Sequence, residues 1–104
     1  MRVYYHGTER EYVEDILENG LSSDGELVFL TSDPGIALLY GPVVLKIKLP
    51  EGFRKLKEWG EDFTTSFIPP KYIEVYREFS EEERQEYRDE HEKWMGYRLR
   101  RGIY

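Results

Sequence analysis

The chain has 104 residues, of which 39% are apolar, a size and composition typical of a single domain with a modest core. A formal net charge of −6 argues against broad nucleic-acid binding, and the absence of cysteine excludes disulfides and cysteine-ligated zinc sites. No apolar stretch is long enough to span a membrane and no signal peptide is visible, so we predict a cytoplasmic protein with no membrane partner.

The first predicted elements are a strand and a capped helix. Residues 2–6, RVYYH, are β-formers and predict a strand. Thr8 is predicted to cap the helix that follows, with Glu11 completing a capping box. Gly20 is predicted to end this helix, because glycine accepts a left-handed backbone. Apolar residues recur at helical spacing between these limits, at Tyr12, Val13, Ile16 and Leu17.

The middle of the chain predicts two strands around a short helix. Residues 27–31, LVFLT, are apolar and predict a buried strand. Asp33 is predicted to cap a short helix, which Gly41 ends. Residues 43–49, VVLKIKL, alternate between apolar and polar residues, so they predict a strand with one buried face.

The last part of the chain predicts two strands and a long helix. Residues 53–60, FRKLKEWG, predict one or two helical turns, whereas residues 64–68 and 71–79 predict strands. A Ser-x-x-Glu capping box begins a C-terminal helix over residues 80–98, packed on or beside the rest of a single domain over residues 1–104. The helix carries a predicted stripe of Tyr87, His91, Trp94, Met95 and Arg98. This element order predicts an α+β fold with locally paired strands.

His6 is the first candidate for a functional side chain. An isolated histidine at a strand end is more often a hydrogen-bonded core residue than a ligand contact. Here, however, it precedes Gly7, whose backbone a ligand can approach closely, and Thr8, at a helix N-terminus that favours polar ligands. Together the three residues predict the polar edge of a pocket.

The other candidates each have a structural explanation as well. Residues 31–33 are consistent with a strand end and a helix cap, and Tyr40 before Gly41 is typical of packing. The acids at residues 61–62 are typical of an exposed loop. Glu74 is more unusual, because it lies in the middle of a strand among tyrosines. The sequence has no phosphate-binding glycine loop and no zinc-protease or serine-hydrolase motif.

Five segments follow one another in a characteristic order: YYHGT, a helix ending in ILENGL, LVFLTSDPGIALLYG, VVLKIKL and FTTSFIPPKYIEV. Their order and spacing, over residues 3–76, resemble the ADP-ribosyltransferase superfamily. Within this superfamily the sequence most resembles the RNA 2′-phosphotransferase branch. That branch also carries a Tyr-His-Gly-Thr strand end, an Ile-Leu-x-x-Gly-Leu helix end and a late Pro-Pro-x-Tyr-Ile segment.

The resemblance implies a split, twisted antiparallel β core that binds NAD in a cleft, as a substrate and without a metal. By this resemblance His6 would hydrogen-bond the ribose next to nicotinamide, and Gly7 would pair through its backbone with the amide. Tyr40 would stack on the nicotinamide ring, which requires a flat apolar wall. The other implied cleft residues are Thr8, Phe29, Thr31 and Ser32.

Two positions depart from the His-Tyr-Glu pattern of these transferases. Phe29 stands where the pattern has tyrosine, and alignment on KYIEV places Lys71 at the position of the catalytic glutamate. With His6 as the motif histidine, the candidate catalytic carboxylates are Glu61, Asp62 and Glu74.

Three functional hypotheses result. The first is a protein that transfers ADP-ribose from NAD to a protein or nucleic-acid acceptor. The second keeps the fold but moves a 2′-phosphate from RNA to NAD, and the scarcity of arginine in residues 1–45 counts against it. The third is a catalytically degenerate fold that acts as a protein-interaction module, which Lys71 favours.

Overall fold

The fold is built from antiparallel strands and helices. The computed structural model describes the backbone of residues 2–22 and 27–100, and side chains in these ranges as far as residue 90. The described strands are β1 (Arg2–Thr8), β2 (Leu21–Ser22), β3 (Val28–Leu30), β4 (Val43–Leu49), β5 (Lys57–Trp59), β6 (Asp62–Thr65), β7 (Phe67–Ile68) and β8 (Ile73–Glu78). The described helices are α1 (Arg10–Asn19), α2 (Pro34–Ala37) and α3 (Glu81–Arg100), with 3₁₀ turns at Leu38–Tyr40 and Pro70–Tyr72.

The described strands form three antiparallel sheets. The central sheet has the order β1-β4-β8, a second has the order β3-β6-β5, and β2 pairs with β7. The predicted α+β class is confirmed, and the described sheets are antiparallel. Among the described strands, the predicted local pairing holds only for the β5–β6 hairpin, because β1, β2 and β3 pair with strands much later in the chain.

Two apolar clusters lie on opposite faces of the central sheet. Along β4, Leu45 and Ile47 are completely buried on one face, as the alternation of VVLKIKL predicts. They pack in the larger cluster with Tyr4 and Phe63, whose rings meet edge to face at 4.7 Å. On the other face, the smaller cluster contains residues of β1 and β4, of the helical turns around α2, and of the start of α3 and the loop before it. Its members are Tyr5, Ala37, Leu38, Val44, Phe79 and Tyr87. The side chains of His91, Trp94, Met95 and Arg98 lie outside the described residues.

Four of the five predicted helix signals are confirmed, and one of them is Gly41, which directly follows the 3₁₀ turn that continues α2. Gly20 ends α1 with φ of 95° and donates its N–H to the carbonyl of Ile16. Asp33 caps α2 by accepting the N–H of Gly35 at 2.8 Å. Ser80 and Glu83 exchange the two hydrogen bonds of a capping box, at 3.1 and 3.2 Å.

The predicted capping box of Thr8 and Glu11 is wrong. Thr8 is the last residue of β1, where it pairs with Val43 and is buried. The N-cap of α1 is Glu9, and its side chain makes no capping bond. Strand pairing therefore extends two residues past the predicted strand and takes Thr8 out of the capping position.

The prediction for residues 53–60 is also wrong. Residues Lys57–Trp59 form β5, which pairs with Asp62–Thr65 across a two-residue turn. Gly60 occupies the first turn position with φ of 63°, a conformation that glycine accepts readily. The strand predicted over residues 64–68 is in fact two strands in different sheets, β6 and β7, interrupted at Ser66.

Candidate functional site

The candidate site begins where β1 and β3 separate. The Tyr5 N–H donates to the Thr31 carbonyl at 2.7 Å, and the Thr31 N–H donates back to Tyr5 at 3.1 Å. Across the described part of the chain, this is the only backbone bridge between β1 and β3. Because alternate residues of a strand direct their backbone groups to opposite sides, the N–H and C=O of Gly7 point toward the β3 side, as those of Tyr5 do. Gly7 therefore presents a donor and an acceptor to the gap between the strands.

His6 bridges this gap through its side chain. Its Nδ1 lies 2.9 Å from the carbonyl oxygen of Phe29. A carbonyl only accepts, so Nδ1 carries the proton and Nε2 of the neutral ring is an acceptor. Burial lowers the pKa of His6 below its ordinary value of 6.5, and the bond to the Phe29 carbonyl opposes part of that effect. At neutral pH the site thus contains a neutral imidazole with a free lone pair.

A cavity of about 520 Å³ lies on one side of His6. It is enclosed by β1, α1, β2 and the start of β3, and its volume falls within the range of small-molecule pockets. Its polar lining includes Thr8, Tyr12 and Asp15, with Asp15 accepting a hydrogen bond from Asn19 at 2.8 Å. Among the described lining residues there is no lysine or arginine. The cavity therefore fits hydroxyl-rich or neutral groups better than phosphates.

Three aromatic side chains form what we call the aromatic cluster: Phe29, Tyr40 and Trp59. The Phe29 and Tyr40 ring centroids lie 5.6 Å apart with an interplanar angle of 45°, and those of Phe29 and Trp59 lie 6.4 Å apart. Tyr40 is 60% exposed and Trp59 is 50% exposed. Aromatic side chains of this size are usually more deeply buried, so the Tyr40 ring is accessible to a ligand, whereas the Nζ of Lys57 lies 5.3 Å from the centroid of the Trp59 ring.

Two glycines determine where Tyr40 lies. A Cβ on Gly7 would lie 1.8 Å from the Ala37 carbonyl oxygen, and a Cβ on Gly41 would lie 2.3 Å from the Thr8 carbonyl oxygen. Both contacts are with backbone atoms, so a side chain at either position requires the segment that carries Tyr40 to move away from β1. The glycines therefore bring α2 and its 3₁₀ turn against β1, which places Tyr40 beside Phe29.

Thr31 and Ser32 lie at the same site and are held by Asp62. The Thr31 hydroxyl donates to Asp62 Oδ1 at 3.0 Å, and the Ser32 N–H donates to the same oxygen at 3.2 Å. Thr31 is 1% exposed, whereas Ser32 is exposed. The structure thus brings Asp62 to residues 29–32, which we call the second motif, but as a hydrogen-bonding partner of the protein.

The other two candidate carboxylates lie elsewhere. Glu74 pairs with Lys48 at 3.4 Å and shares its face of β8 with Tyr76, whose ring contacts Tyr5. Since Tyr5 and His6 are neighbours on a strand, they face opposite sides, and Glu74 therefore lies on the sheet face opposite His6. Glu61 lies exposed in the β5–β6 turn, on the hairpin that carries Trp59. Glu61 is thus the better placed of the two.

Lys71, the residue aligned with the motif glutamate, is exposed in the 3₁₀ turn before β8. Its Nζ lies 5.1 Å from the centroid of the Tyr72 ring. Two further residues of the site were missed in the sequence. Trp59 was missed because its segment was predicted to be helical. Thr64 lies directly opposite Phe29, and its buried hydroxyl has no hydrogen-bond partner among the described residues.

Comparison of the chain with protein-family models, with curated proteins and with solved structures found no match. Within the residues that the structure describes, no three or more acidic or histidine side chains are grouped so as to hold a metal ion. The described helices include none with the length and apolar character needed to cross a membrane. Functional inference therefore depends on the geometry around the β1–β3 gap.

Proposed function

We propose that the chain is an ADP-ribosyltransferase-like protein that binds NAD at the β1–β3 gap and transfers ADP-ribose to a macromolecular acceptor. The observation that carries the proposal is a single juxtaposition. A neutral imidazole, the backbone groups of Gly7 directed to the gap and the rings of Phe29 and Tyr40 lie where β1 and β3 separate. These are the groups that the motif order in the sequence associates with nicotinamide and its ribose.

The nicotinamide end of NAD fits the groups nearest to the gap. Its carboxamide has one acceptor and a donor group, which complement the N–H and C=O of Gly7. Its planar ring fits the faces of Phe29 and Tyr40, and contacts of this kind between rings contribute about 0.5–1.5 kcal/mol beyond burial alone. The proposed pose therefore places the glycosidic bond close to His6.

The ribose and the rest of the dinucleotide would occupy the cavity beside His6. The Nε2 lone pair accepts a hydrogen bond from a ribose hydroxyl, because Nδ1 is already committed to Phe29. The cavity lining lacks a lysine or arginine among the described residues, so the pyrophosphate would lie toward solvent. The lack of cationic groups in this lining disfavours the RNA 2′-phosphotransferase alternative, whose substrate carries an additional phosphate; Lys57 lies over the Trp59 ring, outside the lining.

The transfer step breaks the bond between ribose C1′ and the nicotinamide nitrogen. Nicotinamide leaves with the bonding electron pair, the acceptor forms a new bond to C1′, and the acceptor releases a proton. The positive charge that develops on the ribose is stabilised by a nearby carboxylate. Glu61 is the candidate we favour for this role, because Asp62 is held by Thr31 and Ser32 and Glu74 lies on the other face.

Isothermal titration with NAD tests the binding step. We expect the wild-type chain to bind and His6→Ala to bind about tenfold more weakly, since it loses one hydrogen bond at a buried site. The control is Leu17→Ala, which shortens a 39% exposed side chain of α1 that is not among the described residues lining the cavity. The absence of binding at millimolar NAD, together with no effect of His6→Ala, contradicts the proposal.

Nicotinamide release in the presence of candidate acceptors tests the chemistry separately. We expect Glu61→Gln to lower turnover while leaving the NAD dissociation constant unchanged, because the carboxylate stabilises positive charge that develops on the ribose only in the transition state. Equal turnover in Glu61→Gln and wild type removes Glu61 from the mechanism.

The exposure of Tyr40 and Trp59 also favours a second candidate function, a protein-interaction module. A crystal soaked with NAD distinguishes the two. The transferase proposal predicts a dinucleotide between Tyr40 and His6, and the module predicts an empty gap.

A further inference from the structure

Asp62 lies on the sheet face that carries two members of the aromatic cluster. In the β3-β6-β5 sheet, Phe29 pairs with Thr64 and Trp59 pairs with Asp62. Residues directly opposite each other share a face, and so do alternate residues of one strand. Phe29, Asp62 and Trp59 are therefore on one face, which agrees with the contact between the Phe29 and Trp59 rings.

A continuous set of hydrogen bonds runs from Asp62 to the helix that precedes Tyr40. The Thr31 hydroxyl donates to Asp62 and accepts the N–H of Asp33 at 3.1 Å. Asp33 in turn accepts the N–H of Gly35 and caps α2. Since the hydroxyl of Thr31 has a single proton, donation to Asp62 fixes its orientation and leaves its lone pairs for Asp33.

The bonded segment connects the two rings proposed to contact nicotinamide. Phe29 lies two residues before Thr31, and Tyr40 follows the helix that Asp33 caps. Thr31 also forms the backbone bridge to Tyr5, so the same residue anchors the segment to β1. The Asp62 carboxylate therefore holds Thr31, which lies in the segment between the two rings.

We infer that Asp62 is a positioning residue: through Thr31 and Ser32 it fixes the turn that orients Tyr40 against Phe29. This inference builds on the proposed NAD site and gives Asp62 a role distinct from that of a catalytic acid. The oxygen Oδ1 accepts two hydrogen bonds from the protein, and bonds to a charged acceptor are stronger than neutral ones. The carboxylate thus stabilises the geometry of the site before any ligand arrives.

Four variants test the inference. Asp62→Ala removes the acceptor, and Asp62→Asn keeps a carbonyl oxygen that accepts from Thr31 and Ser32. Thr31→Val removes the hydroxyl at nearly constant volume, and Thr31→Ser keeps it. If Asp62→Ala fails to fold, Thr31→Val removes the bond between Thr31 and Asp62 from the other side, together with the bond from the Asp33 N–H.

The first measurement is amide hydrogen exchange of the chain without ligand. The N–H groups of Ile36 and Ala37 donate to the Asp33 carbonyl at 3.1 and 3.2 Å, so their exchange reports the order of α2. We expect about tenfold faster exchange at both amides in Asp62→Ala and Thr31→Val, with Asp62→Asn and Thr31→Ser near the wild-type rate. Unchanged exchange in Asp62→Ala overturns the inference.

The second measurement separates positioning from catalysis. We expect Asp62→Ala to weaken NAD binding about tenfold and Asp62→Asn to restore it, because the amide oxygen replaces the lost acceptor. If Asp62→Asn binds NAD normally but loses turnover as fully as Asp62→Ala, Asp62 is a catalytic acid and the inference is wrong. If wild type does not bind NAD at all, the proposed function fails, and the exchange measurement still decides the role of Asp62.

Discussion

The two sides of β1 differ in how they are paired. On one side, seven consecutive residues of β1 pair with β4, from Arg2 opposite Leu49 to Thr8 opposite Val43. On the other side, a single bridge between Tyr5 and Thr31 joins β1 to the described part of β3. The paired side satisfies its backbone groups within the sheet, whereas the separated side leaves those of Gly7 directed into a gap.

This difference separates stability from the candidate site. On the paired side, β4 contributes Leu45 and Ile47 to the larger apolar cluster, where both are completely buried. The separated side contains His6 and the half-exposed aromatic cluster, and side chains replace the missing backbone pairing there. We therefore expect substitutions on the paired side to change the free energy of unfolding, and substitutions on the separated side to change ligand binding.

The largest expected effect is on the paired side. Leu45→Ala removes a completely buried side chain from β4, so we expect it to lower the free energy of unfolding by about 3–4 kcal/mol in urea titration. The matched control is Leu56→Ala, whose side chain is 42% exposed, with an expected loss below about 1 kcal/mol. Similar losses in both variants contradict the assignment of stability to the paired side.

Tyr40→Ala tests the separated side. Because Tyr40 is 60% exposed, we expect the free energy of unfolding to fall by less than about 1 kcal/mol. Loss of the proposed ring contact weakens NAD binding about tenfold in titration calorimetry, and Tyr40→Phe retains it. A large loss of stability with unchanged NAD binding contradicts the assignment of ligand binding to the separated side.

The smallest expected effect is the pH dependence of stability that arises from His6. Its pKa is lower in the folded chain than its ordinary value of 6.5, so the unfolded chain binds a proton at a pH where the folded chain does not. Stability is therefore unaffected by this residue above pH 6.5 and falls as the pH drops from 6.5 toward the folded pKa.

Urea titrations between pH 5 and 8 measure this effect. His6→Asn keeps an N–H donor for the Phe29 carbonyl but has no proton to bind, so its stability should depend less on pH over that range. His91, the other histidine, is present in both wild type and His6→Asn, so its contribution to the pH dependence is the same in the two proteins. Parallel pH profiles of wild type and His6→Asn would show that burial does not lower the His6 pKa.

Much of the local structure was predictable because neighbouring residues determine it. The alternation of residues 43–49 predicted β4 and its buried face, and Gly20 and Asp33 predicted helix limits. The capping box of Ser80 and Glu83 was likewise predictable from the Ser-x-x-Glu motif. In each case a short-range pattern and the tertiary environment favour the same structure.

Two predictions failed where strand pairing decided the outcome. Thr8 has a side chain that suits a helix cap, but pairing with the distant Val43 on β4 keeps it in β1. Trp59 lies in a segment predicted to be helical, but pairing with Asp62 across the turn at Gly60 makes it part of a strand. Short segments have weak intrinsic preferences, so strand partners override them.

Part of the candidate site was predictable in its residues, but its arrangement was not. Spacing and motif order indicated His6, Gly7, Phe29 and Tyr40. They did not indicate that Asp62 is bonded to Thr31, because 31 residues separate the two. The register of β8 against β4 was equally hidden, and it places Glu74 on the face opposite His6.

By itself, the sequence determined the elements whose signals lie within a few residues: the strands of the central sheet, the C-terminal end of α1, the N-cap of α2 and the capping box of α3. Only the tertiary structure decided where β1 leaves β3, which carboxylate meets the second motif and which rings come together. The reason is physical. Caps, turns and alternation depend on bonds between near neighbours, whereas the site depends on strand register and on two close backbone contacts at Gly7 and Gly41.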